Sequence, residues 1–76
     1  MSITVKYFAL IREQAGKSQE IVDYRPGMTV SDVWRTVMDE DLPSDIKVAV
    51  NMEYSGTDLG LNDGDEVAFF PSVTGG

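Results

Sequence analysis

The 76-residue chain contains no cysteine and no histidine. Without cysteine there is neither a disulfide nor a thiolate nucleophile, and without both residues the usual zinc ligands and the commonest general base are missing together. A self-contained catalytic site is therefore not expected, and no metal site either. Basic residues are scarce as well: 6 lysines and arginines stand against 13 acidic residues, a formal net charge of −7. The six are scattered singly, so the clustered cations that neutralise phosphates are lacking and no nucleic-acid partner is expected. An acidic domain of this size is expected to dock on a basic protein partner. Long apolar runs are also missing, since the longest, residues 7–11, is far short of the ~20 residues that span a bilayer. Residues 1–6 lack the basic region and apolar stretch of a secretory signal, so the expected location is the cytoplasm, with no membrane association.

What is present is ordinary for one small globular core. Hydrophobic residues make up 42% of the chain, too many for a disordered acidic tail. Ile3, Val5, Tyr7 and Ala9 alternate with Thr4, Lys6, Phe8 and Leu10, which reads as a central strand whose end is apolar on both faces. Residues 11–15 suit a short helical turn closed by Gly16, and residues 19–24 a second strand, antiparallel to the first. Val30, Val33, Trp34, Val37 and Met38 form one apolar stripe at helical spacing, predicting a main helix over about residues 30–40. Thr29 and Asp32 supply a capping-box pattern at its start, Pro43 forbids its continuation, and Trp34 is the expected core anchor. Ile46, Val48 and Val50 mark a third strand, Met52 and Tyr54 the start of a short fourth element, and residues 66–70 a last strand ending in Phe69 and Phe70. This order predicts an α+β fold, a ubiquitin-like β-grasp roll in which one main helix covers a mixed sheet. The domain is expected to occupy residues 1–70, with residues 71–76 as an extended tail; strand order does not follow from periodicity.

Three chemical motifs fail on inspection. Gly16-Lys17-Ser18 mimics the end of a phosphate loop, but Ile11 stands where the first glycine is required. Setting Gly64 at the sixth position of a calcium loop puts Leu59, Leu61 and Phe70 at ligand positions. The carboxylates of Asp39, Glu40 and Asp41, like those of Asp65 and Glu66, are neighbours in loops with no sign of a cleft, though residues 39–41 could help a basic partner find the protein. The tail is different. Pro71, Ser72, Val73, Thr74, Gly75 and Gly76 carry no charge in a chain that is 25% charged, and two glycines without Cβ atoms can enter a channel too narrow for other residues. A reactive carboxylate on Gly76 would leave the chemistry to a partner.

The segment from Lys6 to Gly16, with Tyr7, Phe8, Ala9, Ile11, Arg12 and Glu13, and the ending Asp63-Gly64-Asp65-Glu66-Val67-Ala68-Phe69-Phe70-Pro71-Ser72-Val73-Thr74-Gly75-Gly76 resemble the small subunit of molybdopterin synthase, the MoaD family, a set of β-grasp sulfur carriers. The resemblance implies that an E1-like ATP-dependent enzyme adenylates Gly76, that a persulfide donor converts it to a thiocarboxylate, and that no cofactor is bound by the chain itself. It further implies docking on a large synthase subunit, in a heterotetramer of two small and two large subunits, where the sulfur passes to a cyclic pyranopterin monophosphate in molybdenum cofactor biosynthesis. On this likeness Gly76 bears the sulfur, Gly75, Thr74, Val73, Ser72 and Pro71 form the inserted tail, and Phe8, Arg12, Tyr54 and Phe70 face partners. Phe8 and Phe70 have a plainer reading as core, and Arg12 as a solvated charge. Ser72 departs from the family's usual second proline; it should cost the tail some pre-organised extension and adds a backbone donor. Alternatives within the same architecture are a sulfur carrier for thiamine, cysteine or a tungsten-pterin cofactor, a ubiquitin-like protein modifier, and an interaction domain with an inert tail.

Overall fold

A computed structural model describes residues 1–72. Val73, Thr74, Gly75 and Gly76, the greater part of the expected tail, lie outside the described residues. The elements follow in the order β1 (Ser2–Tyr7), α1 (Ala9–Ala15), β2 (Gln19–Asp23), α2 (Val30–Met38), β3 (Ile46–Val50), β4 (Glu53–Tyr54) and β5 (Glu66–Pro71). They build one mixed sheet in the order β2-β1-β5-β3-β4, in which β1 and β5 run parallel and the other neighbours antiparallel. This is the expected β-grasp architecture, with β5 in the middle and β1 flanked on both sides.

The period-two pattern of the strands sorts their side chains cleanly. Ile3, Val5 and Tyr7 of β1, Val67 and Phe69 of β5 and Val48 and Val50 of β3 all point to one face, none more than 8% exposed. Helix α2 closes that face with Val30, Val33 and Trp34, and the Trp34 and Phe69 rings meet edge-on at 4.9 Å between centroids. Trp34 is the core anchor that its place in the stripe predicts, although its indole N–H finds no hydrogen-bond partner. The Tyr7 hydroxyl, at the rim of the same core, donates to Glu20 on β2 at 2.5 Å. Burial, then the Glu20 hydrogen bond and charge, push that phenol far above its ordinary value, so it stays neutral.

The capping box at the start of α2 is complete. The Asp32 N–H donates to the Thr29 hydroxyl at 3.2 Å, and the Thr29 N–H donates to the Asp32 carboxylate at 2.9 Å. Hydrogen bonds with Thr29, backbone before side chain, hold Asp32 below the usual carboxylate range. The helix ends at Met38, two residues short of the expected position, because Asp39 turns left-handed at φ 57° and its N–H closes back on the Arg35 carbonyl at 2.9 Å. The turn expected over residues 11–15 is a helix of 7 residues that begins at Ala9, so β1 ends at Tyr7 and Ala9 and Leu10, expected at the end of that strand, belong to the helix; Gly16 closes it at φ 78° as its sequence position suggests. Ala9, at φ 54°, reverses the chain between β1 and α1. Asn51 and Met52, both at positive φ, make the two-residue turn between β3 and β4. Strand β2 ends at Asp23, one residue before the expected end. Among the described residues no helix is long and apolar enough to cross a membrane.

Candidate functional site

Among the described residues both helices bury apolar side chains in the one core, and neither covers the second face of the sheet. Alternation places Thr4 and Lys6 of β1, Ala68 and Phe70 of β5, Lys47 and Ala49 of β3 and Tyr54 of β4 on this side, and the registers Lys6↔Ala68, Lys47↔Phe70, Ala49↔Ala68 and Ala49↔Tyr54 set them in adjoining rows. Phe8 continues the alternation: its backbone is extended (φ −125°, ψ 151°), its N–H donates to the Phe69 carbonyl at 3.1 Å, and its side chain is 49% exposed. The core reading of Phe8 is thereby excluded, since parity with Ile3, Val5 and Tyr7 assigns the interior to Tyr7 and the exterior to Phe8. Phe69 and Phe70 divide in the same way, Phe69 inside and Phe70 half-buried on the open face.

Tyr54 is 80% exposed and its ring lies 5.7 Å from that of Phe70, tilted by 58°. An exposed aromatic pair on an uncovered sheet is the kind of surface from which interface hot spots are made. Arg12 sits in α1 one turn beyond Phe8, exposed, with its own N–H turned back toward the Phe8 carbonyl at 3.4 Å. The four residues expected to face a partner therefore gather in two sets, Phe8 with Arg12 at the β1–α1 junction and Phe70 with Tyr54 across β3.

Pro71 belongs to β5, paired with Ile46, so the strand runs one residue beyond the expected domain limit. The Ser72 N–H then donates to the Asp45 carbonyl at 3.0 Å. The donor that serine adds in place of a proline is thus used, and it ties the base of the tail to the start of β3. A groove of about 570 Å³ opens beside that point, with Ser44, Lys47, Tyr54, Ser55, Thr57 and Phe70 in its walls. Lys47 was not among the residues singled out by sequence, although its place between Ile46 and Val48 in an alternating strand already put it on the solvent side. Leu10, 70% exposed beside Phe8 and Arg12, was likewise passed over.

The chemistry available on this face is recognition. Neither group with a displaced pKa, Tyr7 or Asp32, lies on it, and both serve the fold. Among the described residues no three His, Cys, Asp or Glu side chains converge to hold a metal ion. Asp39, Glu40 and Asp41 are exposed at the far end of α2, where Asp41 pairs with Arg35 at 3.3 Å.

A mixed 5-stranded sheet packed on one side by α2 and by Ile11 of α1, and open on the other among the described residues, defines a ubiquitin-like β-grasp protein. Residues 5–76 match the model of the ThiS family, and the chain belongs to that family. It is 37% identical to the molybdopterin synthase sulfur carrier subunit of Escherichia coli (strain K12), with 97% of this chain and 99% of that protein covered. Among solved structures it is similar to small archaeal modifier protein 1 of Haloferax volcanii, at 28% identity and a TM-score of 0.82 over 95% of this chain and 98% of the other. The complex of subunits 1 and 2 of the molybdopterin-converting factor from Helicobacter pylori shares the fold at 17% identity, with a TM-score of 0.68 and full coverage of both chains.

Proposed function

We propose that this chain is the sulfur-carrier small subunit of a molybdopterin synthase, active in the cytoplasm. The observation that carries the reading is the likeness, along nearly the whole of both chains, to a molybdopterin synthase sulfur carrier subunit. The open face with its Tyr54–Phe70 aromatic pair supports it, because a carrier without catalytic side chains must be recognised by the enzymes that act on its tail.

In this reading the Gly76 carboxylate attacks the α-phosphorus of ATP on an E1-like partner, and pyrophosphate leaves. The acyl-adenylate exchanges AMP for the terminal sulfur of a persulfide, and a thiol cleaves the resulting sulfur–sulfur bond to release the thiocarboxylate. Phe8, Arg12, Tyr54 and Phe70 hold the domain on the large synthase subunit while Val73, Thr74, Gly75 and Gly76 enter its active site, and the thiocarboxylate sulfur passes to the cyclic pyranopterin monophosphate. Two small and two large subunits make up the working assembly. Ser72 and Pro71 stay with the sheet and fix where the tail begins.

The test is reconstitution with the cognate large subunit and the precursor, using a chain extended by one residue beyond Gly76 as control. The unextended chain, once sulfurated, should yield the dithiolene product and the extended one none; full activity from an extended and demonstrably uncleaved chain would contradict the role of Gly76. The likeness to an archaeal modifier protein favours one second reading, isopeptide attachment of Gly76 to protein lysines. High-mass conjugates on an immunoblot would support that reading, and free chain alone would speak against it.

A further inference from the structure

We propose that Lys47 and the groove beside it receive an extended segment of the large subunit that places a carboxylate against the lysine and an apolar side chain over the Tyr54–Phe70 pair. The inference rests on the sulfur-carrier reading and adds to it the chemistry of the partner at one point of contact.

Three observations meet at this groove. The first is electrostatic. On the open face Lys6 is neutralised by Glu66 at 3.2 Å, whereas Lys47, exposed and directly across from Phe70, takes part in no ion pair among the described residues. In a chain of net charge −7, a cation without a partner beside the exposed aromatic pair is a local inversion of sign. It marks a place where an otherwise acidic protein attracts an acid.

The second is the backbone. Strand β4 pairs with Ala49 and Val50 alone, and the Ser55 N–H extends that side by one bond, to the Val48 carbonyl at 3.1 Å. Beyond it, among the described residues, no strand lies beside Ile46 and Lys47 on that edge. An uncovered edge next to a groove is where an extended peptide adds to a sheet, gaining main-chain hydrogen bonds while alternate side chains find pockets.

The third is the lining. Ser44, Ser55 and Thr57 line the groove together with Lys47, the Ser55 hydroxyl donating to the Gly56 carbonyl at 3.2 Å, and Tyr54 and Phe70 supply the apolar wall. Hydroxyls and an ammonium both donate to a carboxylate, and the two rings cover an aliphatic or aromatic side chain one step along the strand. Arg12 and Arg25 also form no ion pair among the described residues, but neither borders this groove or the aromatic pair.

The test is calorimetric titration of the full chain with the cognate large subunit at two salt concentrations. Lys47→Glu should weaken binding roughly 30-fold and Lys47→Gln roughly 5-fold, and both should flatten the salt dependence. Arg25→Glu, which changes the net charge as Lys47→Glu does, should leave affinity within about twofold. Unchanged affinity and salt dependence in both Lys47 variants would overturn the inference and leave the carrier reading standing. An equal loss in Arg25→Glu would also overturn it, since the effect would then belong to net charge. A wild-type chain that gains sulfur on Gly76 yet fails to bind the large subunit would overturn the inference together with the synthase assignment.

Discussion

On the covered side of the sheet Ile3, Val5, Val67 and Phe69 are fully buried under α2, whereas on the open side, one residue along the same strands, Phe8 and Phe70 remain in contact with solvent and Tyr54 is almost wholly exposed. Both sides carry aromatic residues, and the strands that build them are the same. The difference is that a helix with a complete cap is available to cover only one of them. Hydrophobicity on the first side is therefore used for stability, and on the second it is left for association. The adjacent pair Phe69–Phe70 spans the two roles within a single dipeptide.

The contrast is broken most severely from the covered side. Trp34→Ala should cost about 3 to 5 kcal/mol in denaturant unfolding, because it empties the space between α2 and Phe69. Trp34→Phe should cost much less, since it keeps most of the volume and removes an indole N–H that has no partner. Equal losses for the two variants would mean that the volume Trp34 fills against Phe69 is not what sets its contribution.

The open side should respond in the opposite manner. Phe70→Ala or Tyr54→Ala is expected to change unfolding free energy by about 1 kcal/mol or less, yet to weaken binding to the large subunit by about 2 kcal/mol, roughly 30-fold. A large stability loss with intact binding would move Phe70 from the docking surface into the core and erase the distinction between the faces.

A smaller effect sharpens the account of why one face is covered. Thr29→Ala should destabilise α2 by about 1 kcal/mol, measured by thermal unfolding. The same box has a pH signature. Because the folded carboxyl of Asp32 is held below its ordinary value, its contribution is present above the unfolded pKa of about 3.9 and is lost as pH falls through the folded value. Asp32→Asn should flatten that acid limb, and an unchanged limb would show that the bond to the Thr29 N–H is not retained in solution.

The local half of this architecture could be read in the sequence because it is written in short spacings. The three residues from Thr29 to Asp32 define the cap, the stripe through Val33 and Trp34 defines the buried side of α2, and parity along β1 and β5 already separates Tyr7 from Phe8 and Phe69 from Phe70. The order β2-β1-β5-β3-β4 could not be read, since the parallel pairing of β1 with β5 joins segments about 60 residues apart with no local signal. The left-handed φ of Ala9 and Asp39 was hidden for a related reason: the fold imposes it on residues whose own preference is otherwise. Of the site, the aromatic positions came from the family likeness and the outward place of Lys47 follows from strand parity, whereas the groove beside it emerges only when β3, β4 and β5 are assembled.

On the proposed function everything turns on whether Gly76 carries sulfur. The most direct measurement is the intact mass of the untagged chain before and after incubation with ATP, a persulfide donor and the cognate adenylating enzyme. The expected result is a gain equal to replacing one oxygen by sulfur, localised to Gly76 by fragmentation. An unchanged mass in the presence of an enzyme proven active would contradict that role of Gly76.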